Sequence, residues 1–330
     1  MARIIKIGTD EDKAEALAAA TEVLLRHQPV AIPTETVYGL AADATHPAAI
    51  TSIYETKGRP RFNPLICHMA DLAMAERYAE FDPISRKLAE AFWPGPLTLV
   101  LPLKPEAGIH PLATAGLDTV GIRVPVGFTA ELIRSLERPL AAPSANSSGR
   151  ISPTTAQHVE ADLGQKIEVI VDGGPCPIGV ESTIVKVEGG EIRLLRPGGI
   201  EAEAIEAVTG IAVLRPKASG TAAIEAPGML ASHYAPNASV RLNATEVSSA
   251  EALITFGPDD ISGASTAKAV FNLSPTADLA EAASNLFDFL KKADASGAAG
   301  IAVAPIPDEG LGEAINDRLM RAAAPRGTEG

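Results

Sequence analysis

The sequence predicts a mixed α/β fold in two parts, a larger one followed by a smaller one. Three observations carry that reading. The chain has 330 residues, beyond the length at which a single hydrophobic core stops growing. Short aliphatic and β-branched runs alternate with stretches of helical periodicity along the whole chain. Two such runs flank Gly189-Gly190, a hairpin signal, so the sheet is mixed rather than purely parallel.

Taken in order, Thr9 caps a helix over 11–26 whose buried face is read as Ala14, Leu17, Ala18, Leu24 and Leu25. Val30-Ala31-Ile32-Pro33 is a short buried strand running into Thr34-Glu35-Thr36. Helices are expected over 48–56, 83–92, 128–136 and 154–163, and strands over 97–103, 119–124, 183–187 and 192–195. The composition then shifts. Residues 215–236 carry Pro216, Gly220, Pro227, Gly228 and Pro236 among small residues, which reads as a linker. A passive tether is the bland account of it, and the bulky His233-Tyr234 pair resists that account. Beyond it, strands over 252–256, 269–273 and 300–304 with helices over 279–292 and 311–321 make a small, largely parallel sheet. The expected parts are therefore 1–210, a linker 211–236, and 237–330.

Composition narrows the function classes. Hydrophobic residues are 46% and charged residues 21%, enough apolar material for folded cores. With 28 basic and 41 acidic residues the formal charge is −13, which argues against a surface built wholly to grip nucleic acid and leaves a local basic patch open. Cys67 and Cys176 cannot make a four-cysteine zinc site. The start, Met1-Ala2-Arg3-Ile4-Ile5-Lys6, lacks a signal-peptide pattern, and no apolar run is long enough for a membrane span. A cytoplasmic protein without a membrane partner is the expectation. The phosphate-loop, dinucleotide and nucleophile-elbow signatures are missing, and the six histidines show no paired ligand spacing.

Four polar clusters remain. Pro33-Thr34-Glu35-Thr36-Val37-Tyr38-Gly39-Leu40 follows a strand, where ligand loops sit; exposed threonines on a plain turn are the alternative. Lys57-Gly58-Arg59-Pro60-Arg61-Phe62-Asn63-Pro64-Leu65 puts three cations in five residues of an acidic protein. Guanidinium forks match phosphate oxygens, and the alternative is a solvated basic loop. Ala141 to Gly149 offers hydroxyls, the Asn146 amide and backbone N–H groups suited to an anion, or simply a flexible link. Glu181-Ser182-Thr183 leads into a strand, and Arg196-Pro197-Gly198 ends one. Arg123 lies inside an apolar strand and needs an anionic partner, either a ligand carboxylate or a buried Asp or Glu. Together Lys57, Arg59, Arg61 and Arg196 suit phosphates, and the set suits nucleotidyl transfer, in which positioning and charge neutralisation do the chemistry.

These motifs, with Pro143-Ser144-Ala145-Asn146 and the linker motif Ser232-His233-Tyr234-Ala235-Pro236, resemble the YrdC-type L-threonylcarbamoyladenylate synthases in their long, two-domain form. The resemblance implies a YrdC-like twisted mixed-sheet domain followed by a smaller Rossmann-like α/β domain, with the linker as a lid over the active site. It implies the reaction of L-threonine, bicarbonate and ATP to threonylcarbamoyl-AMP and pyrophosphate, with Mg2+ accompanying ATP. The product serves a separate tRNA threonylcarbamoyl transferase acting at adenosine 37 of tRNAs reading ANN codons. Lys57, Arg59, Ser144 and Asn146 match the family's catalytic tetrad. Arg61, Thr119, Ser152, Arg196 and Tyr234 match further ATP contacts. Thr34, His68, Arg123, Ala142 and Ser182 match threonine contacts. Two rivals stand beside this reading: weak double-stranded RNA binding through the basic face, and carbamoyl-adenylation with another amine as acceptor.

Overall fold

The computed structural model describes residues 1–60, 62–215, 225–227, 233–258 and 261–325. It divides into two compact units. The first comprises Met1–Ser148, Pro153–Pro177 and Glu181–Met229; the second gathers Gly149–Ser152, Ile178–Val180 and the chain from Leu230 onward.

The first unit is built on eleven strands: β1 (Arg3–Lys6), β2 (Val30–Ile32), β3 (Gly39–Asp43), β4 (Ile66–His68), β5 (Leu97–Pro102), β6 (Thr119–Arg123), β7 (Leu140–Ala141), β8 (Val169–Asp172), β9 (Thr183–Glu188), β10 (Glu191–Arg196) and β11 (Val213–Leu214). They form one sheet in the order β1-β8-β2-β3-β7-β4-β6-β5-β9-β10-β11. Pairing is mixed as expected. β4 and β6 run parallel, as do β5 and β9, whereas β5 and β6 are antiparallel. The Gly189-Gly190 hairpin joins β9 to β10 antiparallel, with both glycines at positive φ.

Eight helices accompany this sheet. They are α1 (Asp10–Leu25), α2 (Pro47–Lys57), α3 (Leu72–Tyr78), α4 (Pro83–Phe92), α5 (Pro111–Thr114), α6 (Phe128–Leu136), α7 (Ala156–Leu163) and α8 (Ala202–Thr209). Thr9 caps α1 in a capping box with Asp12, as its position before an acidic first turn dictates. The buried face of α1 differs from the expected one. It is Ala16, Ala20, Val23 and Leu24, while Ala14, Ala18 and Leu25 are exposed. A helix rich in alanine has weak amphipathic contrast, so several faces look equally apolar in sequence.

The second unit has four parallel strands, β12 (Ser239–Arg241), β13 (Glu251–Thr255), β14 (Ala269–Asn272) and β15 (Gly300–Val303), in the order β12-β15-β13-β14. Helices α9 (Leu279–Ala295) and α10 (Leu311–Ala323) complete it. The parallel α/β character is as expected. β15 sits between β12 and β13, an order unlike the consecutive strands of a Rossmann half, so the Rossmann-like detail is not supported. No helix among the described residues is long and apolar enough to cross a membrane.

Candidate active site

Strand alternation gives the central sheet two different faces. Cys67, Leu97, Leu99, Leu101, Ile122 and Val185 point into the main hydrophobic core. Their neighbours one residue away point to the other face. There Ile66, Val100 and Ile184 form a separate small apolar cluster with Leu195 and Ala226. The register places Ile66 beside Gly121 and His68 beside Arg123. Thr119, Gly121 and Arg123 therefore share this second face with His68, Thr98 and Ser182. Apolar floor and polar rim lie on one surface, and of the sequence-predicted residues Thr119, His68, Arg123 and Ser182 belong to it.

Lys57 is the last residue of α2, and Gly58 caps the helix at φ 60, a left-handed conformation that glycine adopts without strain. The reversal sends Lys57 inward, where it is 3% exposed. Its ammonium donates to the carbonyl oxygen of Ser144 at 2.5 Å and to that of Asn146. The backbone N–H of Ser148 donates back to the Lys57 carbonyl at 2.8 Å. The loop after β7 is thus tied to α2. It is also tied elsewhere: Leu40 N–H donates to Pro143 O at 2.7 Å, Ala145 N–H to Tyr38 O at 2.8 Å, and the Ser147 hydroxyl to Asp162 at 2.5 Å. The flexible-link alternative for this segment is not what the structure shows. Burial, then the charge of Arg59, hold the Lys57 ammonium well below the ordinary lysine pKa. Arg59, also buried, donates to the carbonyls of Asn63 at 3.3 Å and Pro64 at 3.0 Å.

Arg123 answers the question its sequence position raised. Its guanidinium donates to Glu35 at 2.6 Å, to the Thr36 hydroxyl at 2.9 Å and to Gly95 O at 3.3 Å. A protein carboxylate is therefore its partner here. The second Glu35 oxygen accepts from Val126 N–H at 3.1 Å. Thr34 organises the same loop, accepting from Thr36 and Val37 N–H and donating to Val37 O at 2.6 Å. The alternative of exposed threonines on a plain turn fails, since Thr34 and Thr36 are buried. His68, register partner of Arg123, is 3% exposed, and its Nδ1 has no hydrogen-bond partner among the described residues. Burial, then the nearby Arg123 charge, push its pKa down to about 3, so the ring is neutral at physiological pH.

Arg196, at the end of β10, is buried and donates to Ser182 O at 2.8 Å and to the Ser182 hydroxyl at 3.1 Å. That hydroxyl lies 2.7 Å from Thr98 Oγ1. The turn after Arg196 presses against residues 181–183: a Cβ on Gly198 would meet Glu181 O at 2.3 Å. Only glycine permits that approach.

Of the remaining expected residues, Ala142 is buried on the loop after β7, with its N–H donating to Ile66 O at 3.1 Å. Arg61 lies outside the described residues, as do 216–224 and 228–232 of the linker. Ser152 and Tyr234 belong to the second unit. There Tyr234 is 1% exposed at φ 61, with its ring 5.5 Å from that of Phe287 and the Arg318 guanidinium 5.2 Å from its centroid.

Residues 22–198 match the family model Sua5–YciO–YrdC, described as telomere recombination, and residues 200–324 match that of the threonylcarbamoyl-AMP synthase C-terminal domain. The chain belongs to the Sua5–YciO–YrdC family. Both models are matched, which is the two-domain form of that family. The threonylcarbamoyl-AMP synthase of Bacillus subtilis (strain 168) is 43% identical over 324 residues, covering 94% of this chain and 93% of that protein. The synthase of Pyrococcus abyssi is also 43% identical, covering 90% and 91%. The crystal structure of P. abyssi Sua5 complexed with L-threonine superposes with a TM-score of 0.86 at 38% identity, covering 98% of this chain and 97% of that one.

Two residues of these networks carry no role in the sequence: Glu35, which neutralises Arg123, and Thr98, whose hydroxyl lies beside that of Ser182, while Thr36 links the ion pair to Thr34. The signal for Glu35 was available: a buried strand arginine requires a carboxylate, and Glu35 is an acidic residue in an apolar turn.

Proposed function

We propose that this chain is a threonylcarbamoyl-AMP synthase, which joins L-threonine, bicarbonate and ATP and releases pyrophosphate and water, in the pathway of threonylcarbamoyladenosine modification of tRNA. The observation that carries the reading is the set of cations turned inward: Lys57, Arg59, Arg123 and Arg196 are 3%, 9%, 4% and 4% exposed. Inward cations suit a small polyanion. They are poorly placed for a duplex backbone, which weighs against RNA binding as the primary activity.

The threonine amine adds to bicarbonate and water leaves, giving a carbamate. A carbamate oxygen then attacks the α-phosphorus of ATP, the bond to the β-phosphate oxygen breaks, and pyrophosphate departs. Lys57, Arg59 and Arg196 neutralise charge on the phosphates as that bond breaks. An ammonium has three donors, and two of those on Lys57 are committed to Ser144 and Asn146, which aims the third. ATP enters as its magnesium complex. Among the described residues no three His, Cys, Asp or Glu side chains gather to hold a metal, and magnesium commonly keeps its waters and the substrate phosphates as ligands. In this reading the amino acid binds beside neutral His68 and the Arg123–Glu35 pair, where a guanidinium with five N–H donors adds a ligand to its protein contacts.

Mass spectrometry of the product tests this. Threonylcarbamoyl-AMP forms with ATP, bicarbonate and threonine, and Lys57→Ala forms none. A wild-type protein that consumes ATP under these conditions without that product overturns the reading.

A further inference from the structure

We propose that Glu225 is a positioning residue of the synthase, which docks residues 225–227 on the functional face of the sheet and holds Ala226 over its apolar floor. The inference rests on the function proposed above and names a residue that acts there through its neighbours.

Two like charges face each other across β9 and β10. Lys186 on β9 and Arg193 on β10 are direct cross-strand partners. Two cations opposed in this way repel and destabilise the pair. One carboxylate lies across both. Glu225 accepts from Lys186 Nζ at 2.8 Å and from Arg193 Nη2 at 3.1 Å. Glu188 also approaches each cation, at 3.4 Å, and its side chain is 61% exposed against 23% for Glu225. Glu225 is therefore the closer and better shielded counter-charge. Burial alone would push its carboxyl up in pKa; the hydrogen bonds and charges of Lys186 and Arg193 outweigh that and hold it below the usual value.

The next residue shows what the clasp accomplishes. Ala226 is 1% exposed and packs with Ile66, Val100, Ile184 and Leu195. Those side chains are the apolar floor of the face that carries Arg123, His68 and Ser182. Lys186 extends from the same face, two residues beyond Ile184. Among the described residues these two contacts are what holds the alanine there by polar means, because one methyl group supplies little burial. The clasp thus decides whether the floor is walled or open to water. A carboxyl–phosphate mixed anhydride hydrolyses in water, so the wall protects the product as it forms.

The test is the ratio of threonylcarbamoyl-AMP to pyrophosphate, together with KM and kcat for ATP, in the full chain. Glu225→Lys is expected to lower the ratio and raise KM for ATP by about tenfold, the scale set by loss of two partly shielded ion contacts. Reversing all three charges, with Lys186→Glu and Arg193→Glu added, restores the ratio; a purely steric role for Glu225 would not respond to that exchange. An unchanged ratio and KM in Glu225→Lys overturns the proposal, as does a reversed triple variant that folds and stays uncoupled. A loss of product in Lys57→Ala alongside an unaffected Glu225→Lys shows that the synthase reading stands while the clasp does not. A wild-type chain that makes no product overturns the reading and the clasp with it.

Discussion

The guanidinium of Arg123 holds the carboxylate of Glu35 at 2.6 Å, with side chains only 5% and 10% exposed. This pair joins the loop after β2 to the end of β6, two segments far apart in sequence. Removing one partner leaves a buried charge uncompensated, and such losses cost about 3–5 kcal/mol. Glu35→Ala is accordingly expected to lower stability by that amount in urea unfolding. If Arg123 also receives the threonine carboxylate, saturating threonine recovers part of the loss, and serial titration of threonine during unfolding reads the recovery.

Lys57 carries the second prediction. Its ammonium is held well below the ordinary value by burial and by Arg59, and bound phosphates raise it again. Affinity for ATP should therefore weaken with rising pH well before an exposed lysine would lose its proton. Lys57→Arg, whose guanidinium stays charged, should flatten that limb in a profile of KM for ATP against pH.

His68 contributes to the acid limb of stability. The unfolded ring titrates near 6.5 and the folded one near 3. Between those values the unfolded chain binds a proton that the native protein refuses. Stability therefore falls as pH drops from 6.5 toward 3, by about 2 kcal/mol over the first one and a half pH units. His68→Gln should show a shallower decline over that range, measured by chemical denaturation at several pH values.

Gly198 tests the placement of Arg196. A methyl group there would collide with backbone at 2.3–2.4 Å, where no flexible side chain can yield. Gly198→Ala is expected to cost about 1–3 kcal/mol through overpacking and to raise KM for ATP by displacing Arg196. An alanine variant with native KM would remove Arg196 from the phosphate contacts.

What the sequence disclosed follows from how local each signal is. Lys57, Gly58 and Arg59 sit at a helix end, where three cations in five residues mark the segment by composition; Ser144 and Asn146 lie in a serine-rich loop that composition marks only weakly, and it is the family resemblance that singles them out. The hairpin at Gly189-Gly190 and the Thr9 cap are equally local. Glu35 escaped because its partner lies 88 residues away, and nothing near either residue specifies the other. β3 escaped because Gly39-Leu40-Ala41-Ala42-Asp43 has little strand propensity, and burial on the sheet overrides it. β1, β8 and β12 are three or four residues long, too short for a period to register. The role of Ala226 was hidden for a different reason: an alanine beside a proline in a linker carries no sign that it meets Ile66, Val100 and Ile184.

On the function proposed above, one sheet face assembles a triphosphate site beside an amino-acid pocket. Pyrophosphate release, measured with ATP and bicarbonate, first without an amino acid and then with serine or threonine, distinguishes this from any other use of the face. Release should depend on threonine, fall with serine and vanish in Lys57→Ala. Release at the same rate with no amino acid present, or undiminished in Lys57→Ala, would contradict it.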